Sequence, residues 1–451
     1  MARGKKAAKA LTLEEKLEQA LVPEEEQPYA IPENWCWIYL TTGYAECLDR
    51  FRKPINATER AQHNGNIPYY GATGQVGWIN DFLTNEQLVL IGEDGAPFLD
   101  IMKDKAYIIE GKAWVNNHAH ILRSYYGSVG NFYLLNYLNC FDYTGYVNGT
   151  TRLKLTQASM KKIPISVAPL AEQQRIVTRI ENLFTKLDEA KEKAQSVIDS
   201  FELRKSAILH KAFTGELTER WRKKHGVGLE SWETVTSKKL FEYVTSGSRG
   251  WAQYYSQSGA VFVRMGNLQH STIELDMSSI QYVDLPDKAE GQRSLIKKND
   301  ILISITADVG MIGLVRDIDF EGYINQHVAL ARPAEPESAE FIAWYLVSDV
   351  GFKQFRKKQR GATKVGLGLN DIRTLCLDMP IMAEQKEILN ILNRLMIKEH
   401  QAKQAAESVL AQIDTMKKAI LARAFRGELG TNNPSDENAI ELLKKVLAEK
   451  N

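Results

Sequence analysis

Paired histidines, carboxylates near a lysine, and runs of lysine and arginine are the patterns through which this chain of 451 residues could do chemistry. On an extended segment His118-Ala119-His120 would place both imidazoles on one face, as a metal site requires. No third ligand stands nearby in sequence, so the pair reads as structural. Asp100 with Glu110-Gly111-Lys112 loosely matches the two carboxylates and lysine of a metal-dependent nuclease, but a chain that is 25% charged supplies such a pattern by composition alone. Gly4-Lys5 and Gly111-Lys112 lack the glycine spacing and the Ser/Thr of a phosphate-gripping loop. There is no Asn/Asp-Pro-Pro-Tyr tetrapeptide of the kind that holds a target amine for methylation. The chain reads as catalytically silent, with no metal or cofactor of its own.

Charge points elsewhere. The totals, 57 Lys+Arg against 56 Asp+Glu, give a net charge of +1 and exclude a uniformly basic nucleic-acid binder. Locally the balance fails: Lys353, Arg356, Lys357, Lys358, Arg360 and Lys364 occur with no acidic residue from Lys353 to Asn370, beside the loop Gly361-Ala362-Thr363. Such a run can neutralise phosphates and make affinity salt-dependent. A matching loop, Gly149-Thr150-Thr151-Arg152-Leu153-Lys154, is less charged, so Arg50, Arg52, Lys53 and Arg60 are further candidates for phosphate contact. Base edges, which carry sequence information, would be read by Tyr69, Tyr70, Thr73, Gln75, Arg249, Arg264, Asn267 and Gln269. Tyr69 and Arg264 are equally readable as packing residues.

An internal repeat supplies the elements that would position these groups. Ala171-Glu172-Gln173 recurs as Ala383-Glu384-Gln385, and the stretch from Lys205 to Leu217, ending Ala-Phe-Thr-Gly-Glu-Leu, recurs from Lys417 to Leu429, ending Ala-Phe-Arg-Gly-Glu-Leu; both lie 212 residues on. The absence of insertions across each stretch fits a continuous helix, in which one extra residue would rotate everything after it by ~100°. Ile176, Ile180, Leu183, Leu187, Ala190, Ala194, Val197 and Phe201 step by fours and threes in the first copy. So do Ile388, Leu392, Leu395, Ala402, Ala406, Val409, Ile413, Met416 and Ile420 in the second, interrupted by Glu399. That is the seam of a left-handed coiled coil, so the two helices are expected to face each other. From Ala171 to Phe213 an unbroken helix would run ~65 Å. Pro169 and Pro380 mark the entries, and Gly215 and Gly427 the exits.

Between the helices lie two segments of mixed β character, with apolar runs Leu88-Val89-Leu90-Ile91 and Ile301-Leu302-Ile303-Ser304-Ile305. They repeat each other weakly: Asn117-His118-Ala119 resembles Gln326-His327-Val328, and Phe132 to Leu138 resembles Phe341 to Leu346, each 209 residues on. The expected fold is α+β, two mixed domains separated by two long helices in an antiparallel coiled coil, with a pseudo-twofold internal repeat. Boundaries follow as 1–27 (an extension with a helix at Leu13, Leu17 and Leu21), 28–168, 169–217, 218–379, 380–430 and a tail at 431–451. The extension is expected to pack near the end of the second long helix, whereas the tail, with a short helix, has no counterpart.

Several stretches, in this order, resemble the specificity subunits of type I restriction-modification systems. They are Ile31-Pro32-Glu33-Asn34-Trp35, Ile67-Pro68-Tyr69-Tyr70-Gly71-Ala72-Thr73-Gly74, Asn299-Asp300-Ile301-Leu302-Ile303-Ser304, the two Ala-Glu-Gln helix starts and the two Ala-Phe-Xaa-Gly-Glu-Leu helix ends. The resemblance covers nearly the whole chain. It implies two target-recognition domains that each read half of a bipartite, asymmetric site in double-stranded DNA. It also implies docking of two methyltransferase subunits, with restriction subunits joining in a larger assembly; S-adenosylmethionine, ATP and Mg²⁺ belong to those partners. A solitary DNA-modifying enzyme and a coiled-coil protein adaptor are the alternatives. No apolar run approaches the ~18 residues of a membrane span, and the N-terminal MARGKKAAKA lacks the apolar core of a signal peptide. Cys36, Cys47, Cys140 and Cys376 form no CxxC pair. That spacing fits a reducing cytoplasm.

Overall fold

A computed structural model describes residues 11–247, 249–285, 291–316, 319–361 and 365–449. The chain divides into two units, one spanning Ser196–Ala406 and the other combining Met1–Gln195 with Glu407–Asn451. Among the described residues no helix is long and apolar enough to cross a membrane.

The first unit contains strands β1 (Cys36–Tyr39), β2 (Ala45–Cys47), β3 (Ile67–Gly71), β4 (Gly74–Ile79) and β5 (Thr84–Asn85). It continues with β6 (Leu88–Gly92), β7 (Ala106–Ile109), β8 (Lys112–Val115), β9 (Ala119–Ser124) and β10 (Pro164–Val167). One sheet runs β2-β9-β6-β7, a second β4-β3-β8-β5, and β1 pairs with β10. Strand β6 is apolar throughout because both its faces are covered. Val89 and Ile91 join the core that includes Tyr133, Leu134 and Leu138 of the helix Gly127–Cys140, while Leu88 and Leu90 join Ala113 and Val115 of the second sheet.

The second unit repeats this plan with β11 (Glu233–Thr236), β12 (Phe241–Ser246), β13 (Tyr255–Ser256), β14 (Ala260–Val263) and β15 (Gln281–Val283). Then come β16 (Ile301–Ser304), β17 (Ile312–Leu314), β18 (Gly322–Ile324), β19 (Val328–Pro333) and β20 (Cys376–Met379). Its sheets run β12-β19-β16-β17 and β13-β15-β14-β18, and β11 pairs with β20. In each unit the second sheet includes one parallel pair, β3 with β8 and β14 with β18.

The repeated sequence motifs are the joints between helix and domain. At each helix start a buried glutamate accepts an indole N–H, Trp35 to Glu172 at 2.8 Å and Trp232 to Glu384 at 3.0 Å. The glutamine that follows donates to a carbonyl before the helix, Gln173 to Ala168 and Gln385 to Pro380, both at 2.9 Å. At each helix end a phenylalanine meets aromatic rings edge-on: Phe213 lies 5.3 Å from Phe341 and from Tyr345, and Phe425 lies 5.0 Å from Tyr133 and 5.1 Å from Tyr137. Gly215 and Gly427 adopt φ of +81° and +75°, the left-handed turn that releases the chain from a helix.

Several expectations are corrected. The first long helix is interrupted at Ser200, giving Leu170–Asp199 and Phe201–Phe213, whereas Met382–Ala424 is continuous. Ser200 Oγ bonds back to the Ser196 carbonyl at 2.5 Å, and Arg204 in turn donates to that hydroxyl, a pattern that bends helices. Antiparallel helix pairing is present within each unit, through Arg204–Glu399 (2.8 Å) in one and Lys417–Asp188 (2.6 Å) in the other. Its seam differs from the apolar spacing in the second helix, because Ala402, Val409 and Met416 face solvent. Half-buried Lys403, Leu410 and Lys417 take those places. The two ammonium groups lie 4.8 Å over Phe201 and 5.1 Å over Phe184, cation–π contacts that stand where apolar side chains were expected. Glu399, the apparent interruption, is the partner of Arg204. The N-terminal helix Leu13–Ala20 packs with the tail helix Ala439–Glu449, Lys16 donating to the Leu447 carbonyl at 3.2 Å, and Leu443 and Leu447 of the tail are buried in the first unit's core.

Because Phe425 serves the first unit and Phe213 the second, Phe425→Ala should cost about 3–5 kcal/mol and lower hydrogen-exchange protection in the helix Gly127–Cys140. Phe213→Ala should do the same to the helix Ala339–Val347. Loss of protection in the opposite unit in either variant would contradict this partition.

Candidate nucleic-acid interface

In each unit three loops are tied together by backbone hydrogen bonds at equivalent positions. In the first, Glu93 N–H donates to the His118 carbonyl (2.7 Å), Leu155 N–H to Glu93 (2.7 Å), and Asn148 and Lys154 exchange a pair (3.0 and 2.8 Å). In the second, Ile305 donates to His327 (2.9 Å), Leu367 to Ile305 (2.9 Å), and Arg360 and Gly366 exchange a pair (3.1 and 3.0 Å). The histidine of each loop set closes a turn on an asparagine, with His118 N–H on Asn116 Oδ1 and His327 N–H on Asn325 Oδ1. Gly149 and Gly361 have φ of +107° and +109°. A Cβ at Gly149 would stand 2.5 Å from the Arg152 carbonyl, so the turn requires glycine. Gly95 and its counterpart Ala307 also lie at positive φ, +71° and +63°. Alanine there holds a strained conformation, as loops at functional sites often do.

On this shared frame the side chains differ. In the first unit the cations are internally satisfied. Arg52 pairs with Asp49 (3.0 Å) and with Glu93, Lys154 pairs with Glu93 (2.9 Å), and Asp94 receives both His118 (2.9 Å) and Arg152 (2.7 Å). His120, buried on β9, meets Asp49 through Nδ1 at 2.6 Å and the Leu155 carbonyl through Nε2 at 2.8 Å. Burial alone would raise the Asp49 carboxyl, but the hydrogen bond and charge of His120, with donors from Gln157 and the Ile121 N–H, outweigh it and hold the group at about 2, below its ordinary 3.8.

Asp49, Glu93 and His120 offer ligand atoms within 4.8 Å of one another. The third ligand that the paired histidines lack in sequence is thus present in space, although His118 and His120 turn to different carboxylates. Arg52 already sits between the two acids and His120 Nε2 is committed to a carbonyl, so the cluster fits an ion-pair network better than a cation site. The nuclease-like trio separates: Asp100 pairs with Lys103, Glu110 accepts from Gln87, and Lys112 lies over Phe82.

The candidate base readers divide. Tyr69 is 1% exposed, its hydroxyl bound to the backbone of Ile55 and its ring beneath Arg60, and it is a core residue. Asn267, 5% exposed, spends its amide on Arg264 N–H and on the carbonyls of Asp276 and Ser279, so it shapes a turn. Half-buried Tyr70 packs on Tyr107. Thr73 and Gln75 are exposed on the β3–β4 hairpin, and Thr151 and Arg152 are exposed on the Gly149 loop; the hairpin approaches the loop set where Ala72 O nears Gly92. Arg249 is exposed and Arg264 half-buried in the second unit.

Of the basic run, Lys353 pairs with Asp349 (2.9 Å), Arg360 with Asp371 (2.9 Å), and Lys358 donates to Thr374 (2.9 Å). The acids stand just outside the acid-free window, so the patch is partly balanced. Arg356 lies over Phe352, and Arg356, Lys357 and Lys358 occupy the last turn of the helix Asp349–Lys358, where positive charge also suits the helix dipole. Lys357 is exposed, with no ion pair among the described residues. Lys364, with Ala362 and Thr363, lies outside the described residues. Residue composition alone gives no reason to single out Asp94 or Thr306; the 212-residue offset, applied to the loops, finds both.

The family model for the type I restriction modification DNA specificity domain matches residues 48–198 and again 230–408. Among curated relatives, the type I restriction enzyme EcoBI specificity subunit of Escherichia coli is 25% identical over 66% of this chain and 66% of its own length. A putative type I restriction enzyme specificity subunit of Haemophilus influenzae is 33% identical over 31% of this chain and 35% of its own. The chain thus spans just under two thirds of the first and about a third of the second. The HsdS subunit from Thermoanaerobacter tengcongensis superposes with a TM-score of 0.62 at 18% identity, covering 90% of this chain and all of that one, a likeness of fold.

Asp49 is the residue through which acid should reach the first unit. Its lowered carboxyl contributes stability that is present above about pH 4 and lost as pH falls toward its folded value of about 2. Asp49→Asn should therefore flatten the acid-side decline in the stability of the first unit, followed by urea unfolding across that range. An unaltered decline would contradict the network.

Proposed function

The chain belongs to the type I restriction-modification DNA specificity family, and from that premise we propose that it is the DNA-recognition subunit of such a system. Each unit reads one half of a bipartite, asymmetric duplex site. The observation that carries this reading is the double match of the family model, on two units that keep the same loop frame and dress it with different side chains. A common frame with unlike polar surfaces suits two readers of unlike sequences, because hydrogen bonds to base edges depend on side-chain identity whereas backbone contacts do not.

Within this proposal the recognition domains run 28–168 and 218–379, and the long helices (169–217 and 380–430) carry them and dock methyltransferase subunits. Thr73, Gln75, Thr151, Arg152, Arg249 and Arg264 are the side chains offered to DNA, with Lys357, Lys358, Arg360 and Lys364 giving phosphate contact. Catalysis, with S-adenosylmethionine, ATP and Mg²⁺, belongs to the methyltransferase and restriction subunits, and the assembly works in the cytoplasm.

Exchanging residues 28–168 for the corresponding domain of another family member tests the reading. Reconstituted with its methyltransferase, the chimera should methylate a motif altered in one half only. A motif altered in both halves, or in neither, would overturn the two-reader arrangement.

A further inference from the structure

The two loop frames differ most at one place, and the internal duplication acts as its own control. In the first unit Asp94 holds His118 and Arg152, while Arg52 is held by Asp49 and Glu93. At the equivalent positions of the second unit, 212 residues on, Glu93 and Asp94 are replaced by Ile305 and Thr306. The cationic side survives: His327 occupies the same asparagine-closed turn as His118, and Arg249 stands 197 residues after Arg52, the offset that also relates Trp35 to Trp232. What the first unit fills with its own carboxylate is in the second a cavity of about 450 Å³ lined by Arg249, Thr306, Gln326, His327, Val365 and Gly366. Among the described residues no carboxylate lines it, and Arg249 has no ion pair there. Gln326 and His327 are tied side chain to side chain at 3.1 Å.

We propose that this cavity is an oxyanion site, the seat of a phosphate group. Arg249 supplies the charge and a planar fork of N–H donors, a geometry that matches phosphate oxygens. The Gln326 amide and the Thr306 hydroxyl add neutral donors. Asp94 then serves the first unit as a built-in anion that occupies the corresponding place, so phosphate attraction at this point is confined to the second unit. The ligand in the working protein is a backbone phosphate of the duplex, an assignment that rests on the DNA-recognition reading; free phosphate shares the chemistry. Arg249 accordingly positions the duplex and does not read a base.

Two variants of the full chain test the site. Thr306→Asp gives the second unit the carboxylate that the first already folds around, and Arg249→Gln removes the charge by a different route. In unliganded chain, inorganic phosphate should raise the unfolding temperature above that in chloride at matched ionic strength, and neither variant should respond. Bound to duplex, both variants should lose about tenfold in affinity, and the slope of log affinity against log salt should fall by about one phosphate contact. Duplex binding with an unchanged slope in both variants would overturn the site while leaving the DNA reading intact. Phosphate stabilisation abolished by both variants, in a chain that retains no duplex, would support the oxyanion site with free phosphate as its source and count against the DNA reading. Equal phosphate stabilisation of all three chains would overturn the site.

Discussion

A carboxylate buried at the first turn of each long helix holds the architecture together. Glu172 and Glu384 are inaccessible to solvent, and each is fixed by the indole of a tryptophan at the start of its domain. A negative group there is favoured by the helix dipole, but burying it demands hydrogen bonds for its remaining oxygens. The units meet that demand differently. Glu384 receives Arg222 and Thr218, both at 2.6 Å, whereas Glu172 receives the neutral Asn432 and Thr431 of the tail. Desolvation accordingly raises the Glu172 carboxyl above its ordinary value, although the bonds from Trp35, Asn432 and Thr431 pull the other way. Arg222 and Glu384 are almost wholly buried, and stripping one partner from such a pair costs about 3–5 kcal/mol, so the joint tolerates little change.

With the joints fixed, the loops are free to differ. The hydrogen bonds that tie the three loops together run between backbone atoms and therefore place few demands on side chains. The same trace supports a charge-balanced surface in the first unit, where Asp49, Glu93 and Asp94 engage Arg52, Lys154 and Arg152, and an acid-poor one around Arg249 in the second. A chain with a net charge of +1 can thus present two unlike electrostatic faces without altering its core.

Much of this was legible in the sequence where backbone geometry dictates residue type. The repeated Ala-Glu-Gln and Ala-Phe-Xaa-Gly-Glu-Leu motifs mark the helix ends because only a buried acceptor, an aromatic plug and a left-handed glycine satisfy them. The helix seam was less legible: an ammonium lying over an aromatic ring makes a seam contact that a pattern of apolar residues does not register, as at Lys403 and Lys417. Ser200 interrupts a helix whose apolar spacing continues unbroken. Site residues were the least legible. Tyr69 and Asn267 have the chemistry of base readers, but burial commits one to the Ile55 backbone and the other to its own turn. His120 finds its carboxylate 71 residues away, beyond the reach of any spacing rule.

Selection of bound duplexes from a randomised pool by the full chain, with its methyltransferase present, tests the central claim that one duplicated frame carries two different readers. The account predicts two unlike blocks of selected bases separated by a fixed number of unselected pairs. A single continuous block, or two blocks related as a palindrome, would contradict it.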